Sequence, residues 1–95
     1  MRHFKKLRRI RDWKARKEAR RECCCICGDS WGLQVHHIVP RSQFGDDLPM
    51  NLIALCIQCH EAAHERRITR EQLWQALGIP RASWEAYLQE KGCRA

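Results

Sequence analysis

Long apolar runs are missing from this chain, and so is a balance of charge at its N-terminal end. A membrane-crossing helix needs about 20 consecutive apolar residues, and the longest run here is short and interrupted, which excludes one. The N-terminus has charge without the apolar stretch of a secretory signal. Cysteines number seven, an odd count that fits a secreted disulfide framework poorly. These absences predict a cytoplasmic protein with reduced, metal-bound thiols. With only 95 residues available, one domain is expected, burying little more than about 60 % of its unfolded surface. So thin a core needs a metal staple.

The unbalanced base makes an arm. Residues 1–22 hold eleven Lys or Arg against Asp12, Glu18 and Glu22, whereas the rest of the chain is close to neutral within a formal net charge of +7. Residues 3–22 also lack Gly and Pro and are rich in Arg, Lys, Ala, Leu and Glu, which predicts a basic helix. Phe4, Leu7, Ile10 and Trp13 recur every three residues and form a slanting apolar stripe. Arg8, Arg9, Arg11, Lys14, Arg16, Lys17, Arg20 and Arg21 fill the remaining faces. Such a surface is a solvated helix face or a phosphate-tracking arm, whose contacts would release counterions and add sequence-independent affinity; a membrane-binding face fits less well, because the apolar stripe is narrow.

Residues 23–68 carry the chemistry. Two C-x-x-C pairs, Cys24 with Cys27 and Cys56 with Cys59, supply the four thiolates of a tetrahedral structural zinc site. Cys23, Cys25 and Cys93 are left over as packing residues or free thiols. Four histidines stand among and behind these pairs, more than a simple zinc ribbon needs. Leu33–Val39 reads as a strand stopped by Pro40, and neighbours on a strand face opposite ways, so His36 and His37 have different tasks. The loop from Arg41 to Pro49 contains Gly45, Asp46 and Asp47, which read as turn formers, and Arg41 is placed to contact a phosphate. A second strand follows at Asn51–Leu55. A helix from about Ile57 to Arg67 then sets His60 and His64 four residues apart, on one face and able to share an ion. Beyond it, residues 69–95 read as a helical pair. The first of the pair is opened by the capping box Thr69 and Gln72 and closed by Gly78, and the second runs from Pro80 to about Lys91. Leu73, Trp74, Leu77, Trp84, Tyr87 and Leu88 are its packing residues.

In order and spacing, the 41 residues from Cys24 to His64 resemble the HNH endonucleases. His37, Asn51 and His60 fall where the family's three letters fall. His36 stands where many members carry aspartate. Together with His64 it is more similar to the colicin nuclease branch, whose catalytic metal is held by histidines. The resemblance implies an α+β fold, a ββα-metal (His-Me finger) core with a four-cysteine zinc, here flanked by the basic helix and the C-terminal pair. It implies a metal-dependent endonuclease that hydrolyses DNA phosphodiester bonds and leaves a 5′-phosphate and a 3′-hydroxyl. His37 would be the general base, Asn51 would fix the loop between the strands, and His36, His60 and His64 would hold the catalytic divalent ion. Of Zn, Ni, Co, Mn and Mg, nitrogen ligands suit the first three best. The implied partner is DNA, with no membrane, cut either by a monomer that nicks or by a weak dimer that severs both strands. Small stand-alone HNH proteins with a basic arm are similar to bacteriophage-encoded ones, some of which act beside the DNA-packaging terminase; such a protein would work in the host cytoplasm. Two rival readings stand beside it. One is a zinc-braced nucleic-acid-binding module without catalysis, and the other is an accessory domain that presents Trp74, Trp84 and Tyr87 to a partner.

Overall fold

A two-stranded antiparallel hairpin with a helix behind it forms the centre of the molecule. The structure, a computed structural model, describes residues 9–92. Strand β1 (Gln34–His37) pairs with β2 (Leu52–Leu55), Gln34 opposite Leu55 and His37 opposite Leu52. Both faces of β2 are buried, as its uninterrupted Leu-Ile-Ala-Leu sequence requires, while β1 is only partly covered. Helix α2 (Ile57–His64) follows directly, with Cys56 as its N-cap accepting from the Cys59 N–H, so the zinc knuckle and the helix start are one feature. The helix ends three residues short of the expected Arg67. Arg66 takes φ 62° there, and the Arg67 and Ile68 N–H groups turn back to the Ala62 carbonyl.

Helix α3 (Arg70–Leu77) opens on the predicted capping box, with Thr69 and Gln72 each satisfying the other's backbone, and closes on Gly78 at φ 74°. That left-handed position is one glycine takes without penalty. Helix α4 (Arg81–Glu90) starts after Pro80 and ends before Gly92. The indoles of Trp74 and Trp84 stack with centroids 5.2 Å apart and planes 2° from parallel, and the Trp74 Nε1–H donates to the Met50 carbonyl at 2.8 Å. Trp74, Trp84 and Tyr87 are all buried against Val39, Ile53, Leu55 and Leu73. They are core, and the partner-facing surface that they would make in the third reading does not exist.

The arm differs most from expectation. Its helix within the described residues is only α1 (Trp13–Glu18), capped by the Asp12 carboxylate, which accepts from the Lys14 and Ala15 N–H groups. Residues 9–12 run alongside the loop between the strands instead. There the Asp47 N–H donates to the Ile10 carbonyl at 2.8 Å, while the Ile10 and Asp12 N–H groups donate to the carboxylates of Asp46 and Asp47. Backbone donors taken by those buried carboxylates cannot also close helical turns, which is why the helix starts late. Of the proposed apolar stripe, Ile10 and Trp13 are exposed, and Phe4 and Leu7 lie outside the described residues.

Candidate active site

The turn before β1, strand β1 itself and helix α2 with its N-cap bring together two groups of side chains that could hold metal ions. The Sγ atoms of Cys24, Cys27, Cys56 and Cys59 lie within 4.8 Å of one another, with Cys27 and Cys56 3.5 Å apart. Backbone N–H groups point at two of the sulfurs, Ile26 at Cys24 and Cys59 at Cys56, each at 3.4 Å. Burial would raise the Cys24 thiol, but backbone hydrogen bonds from Cys27, Cys56 and Ile26 outweigh it and push the group down to about 6. Burial and the neighbouring thiols push Cys59 up. The backbone therefore favours a thiolate at Cys24, while the crowding of sulfurs disfavours one at Cys59. A closed set of four sulfurs is the donor set of structural zinc, and the residues fit it. Cys23 and Cys25 lie outside the cluster, and Cys93 lies outside the described residues.

The second group is His36, His60 and His64, whose ring nitrogens also lie within 4.8 Å of one another. The three rings stand mutually edge-on, with interplanar angles of 83°, 88° and 89° and centroids 4.5 to 5.3 Å apart. The Nε2 atoms of His60 and His64 are 3.3 Å apart. Two imidazole nitrogens on one tetrahedral ion, each at about 2.0–2.1 Å, stand roughly that far from each other. Burial and then the charges of His60 and His64 push His36 down to about 4, and burial and His64 also lower His60. Both are thus neutral near pH 7, with lone pairs free to coordinate. Three nitrogens with an exposed side fit a divalent ion that keeps open positions, the pattern of catalytic sites.

His37 points to the other face of the strand. Its Nε2 lies 2.7 Å from Asp47 Oδ1, and its side chain is 10 % exposed. Burial lowers its pKa, and the hydrogen bond to Asp47 offsets only part of that. Asn51 is fully buried and fully satisfied. Its Oδ1 accepts from the Val39 N–H at 2.7 Å, and its Nδ2 donates to the carbonyls of Val39 and Asp46 at 3.1 and 3.0 Å. This side chain stitches the end of β1 to the connecting loop. Gly45 is needed for the same closure, since a Cβ there would come within 1.7 Å of the Val39 carbonyl oxygen.

Trp13, Arg16, Lys17, Arg20, Arg21 and Arg41 border an open groove of about 740 Å³, at which Val35, His37 and Ala54 also surface. Five of the expected DNA-contacting residues therefore line one groove at His37. Arg9 is turned inward to Asp47, Arg11 and Lys14 are exposed away from the groove lining, and Arg8 lies outside the described residues.

Residues 24–66 match the family of HNH endonucleases. That match takes in the cysteine pairs, the hairpin and helix α2. The chain is also similar to the type IV methyl-directed restriction enzyme EcoKMcrA of Escherichia coli strain K12, at 41 % identity over 39 residues. That segment is 41 % of this chain and 14 % of the relative's length. No solved structure matches.

Two residues within the matched segment escaped the sequence reading. Asp46 and Asp47, expected as turn formers, are 3 % and 1 % exposed. Asp46 pairs with Lys91 Nζ at 2.8 Å and with the Tyr87 hydroxyl at 3.1 Å, which ties α4 to the loop. Asp47 holds His37 and the arm. The one available signal was stoichiometric: an arm with so much arginine needs buried carboxylates if any of it is to fold back on the domain.

Proposed function

We propose that this protein is a metal-dependent endonuclease that hydrolyses DNA phosphodiester bonds, with His37 as the general base. The observation that carries the reading is the convergence of His36, His60 and His64 on one point, next in sequence to a histidine of separate orientation that opens on a basic groove. A divalent ion held by the three imidazoles would supply Lewis-acid stabilisation of charge on the phosphate. The other tasks fall to the chain. His37 takes the proton of the attacking water, since its lowered pKa leaves it neutral near pH 7. Asn51 keeps the connecting loop, and so the end of β1, in place. Arg16, Lys17, Arg20, Arg21 and Arg41 hold the phosphate backbone along the groove. The expected products are a 5′-phosphate and a 3′-hydroxyl.

The test is plasmid nicking by the purified, zinc-braced protein after supplementation with Mg, Mn, Co, Ni or Zn in turn. Relaxation of supercoiled DNA in at least one metal, strongest with the imidazole-favouring ions, is expected. Binding without relaxation in any of them would hand the protein to the rival reading, a zinc-braced module that binds nucleic acid and cuts nothing.

The groove makes a separate prediction. Replacing Lys17, Arg20 and Arg21 together with alanine should weaken DNA binding and flatten its salt dependence, by roughly 0.9 in the slope of log K against log salt for each phosphate no longer neutralised. An unchanged slope in a fluorescence-anisotropy titration would mean that these side chains only face solvent.

A further inference from the structure

We propose that Asp47 is a positioning residue for His37, fixing which ring nitrogen carries the proton and making the N-terminal arm part of the site. The proposal rests on the nuclease reading above. Asp47 is acceptor-only when ionised, and its side chain is fully buried. His37 Nε2 at 2.7 Å and Arg9 Nη2 at 2.8 Å both meet its Oδ1. Arg9 Nη2 also stands 3.4 Å from His37 Nε2. A guanidinium offers only donors, and the two shorter contacts decide the arrangement: two N–H groups converge on one oxygen. His37 therefore carries its proton on Nε2 and keeps the Nδ1 lone pair for proton abstraction.

The second carboxylate oxygen leaves Asp47 little freedom to turn. Oδ2 accepts from the Asp12 N–H at 2.8 Å, and Arg16 Nε stands 3.2 Å from it, near enough to attract but not aligned as a hydrogen bond. Burial alone would raise the carboxyl, but His37, the Asp12 N–H, Arg9 and Arg16 outweigh it and hold the group below the ordinary aspartate range. Three of these four partners belong to residues 9–16. The arm is thus more than a handle for DNA, because the carboxylate that orients the base is itself oriented by the arm.

The experiment compares wild type with Asp47→Asn, Asp47→Ala and Arg9→Ala on a fluorescent duplex. It separates kcat from KM and reads the His37 tautomer by long-range ¹⁵N–¹H correlation of the zinc-loaded protein. Wild type should show Nε2–H. In Asp47→Ala that signature should be lost, and in both Asp47 variants kcat should fall on the order of 10–10⁴-fold, the upper end being the cost of leaving a catalytic histidine in the wrong tautomer, with KM nearly unchanged. Arg9→Ala should lower kcat by a smaller factor. If Asp47→Ala does not fold, Asp47→Asn and Arg9→Ala carry the same comparison. Unchanged kcat and tautomer, or a loss tracking only a lowered melting temperature, overturns the proposal. A wild type that cleaves in no metal sinks the nuclease reading and this catalytic role with it, and the tautomer then still reports whether the carboxylate holds the ring.

Discussion

Replacing His37 with alanine should slow DNA cleavage by about 10²–10⁴-fold, the usual contribution of a positioned acid or base, and leave the protein folded with its metal content unchanged. Folding survives because the partner left behind is not orphaned. Asp47 keeps the Arg9 guanidinium at 2.8 Å and the Asp12 N–H at 2.8 Å, so the buried carboxylate stays paired. Metal content survives because His37 stands outside the converging set of His36, His60 and His64. Substituting His36 should behave differently, losing cleavage together with any ion bound by the three histidines. Plasmid-nicking rates, circular dichroism melts and elemental analysis on the two variants separate the roles. A His37→Ala protein that nicks as fast as wild type removes His37 from the chemistry. The pH dependence carries a sign as well. Burial holds His37 below the ordinary histidine value, so the unprotonated base should persist below pH 6.5, and the acid limb of kcat should fall on the acidic side of that value.

What the sequence made legible was chemistry set by short spacing. The C-x-x-C pairs, the i, i+4 histidines, the Thr69 and Gln72 capping box and the Gly78 stop each depend on residues within one turn, and each forms where expected. The ββα core followed from the same local signals. What could not be read was pairing across distance. Asp47 takes its partners from residues 9–16 and from His37, and Asp46 takes its own from Ile10, Tyr87 and Lys91, more than 30 positions away on either side. Nothing in the composition of residues 41–49 separates a buried acid from a turn-forming one. The arm failed for a related reason. Propensity favours helix through residues 3–22, but two carboxylates that capture the Ile10 and Asp12 N–H groups outweigh propensities worth less than about 1 kcal/mol per residue.

Replacing Cys56 with serine should abolish cooperative folding, a larger effect than any substitution at the three histidines. Structural zinc contributes about 10–16 kcal/mol of binding free energy that is also folding free energy, whereas a domain of ordinary stability has only about 5–15 kcal/mol in total. Cys56 has two duties in one side chain. It joins the sulfur cluster, and it caps α2 by accepting from the Cys59 N–H, while being only 1 % exposed. Serine can cap a helix but is a poor ligand for zinc, so the substitution tests the metal and spares the cap. With the ion released, Cys24 and Cys27 no longer fasten the first knuckle to the start of α2. That helix carries His60 and His64, so the histidine cluster should come apart along with the fold. Removing zinc from wild type with a strong chelator should reproduce the loss, and Cys23→Ser, which alters an exposed thiol outside the cluster, should not. Far-UV circular dichroism melts with a colorimetric count of released zinc decide the matter: a Cys56→Ser protein that melts cooperatively within a few degrees of wild type and retains one zinc would show that the sulfur cluster does not hold this fold together.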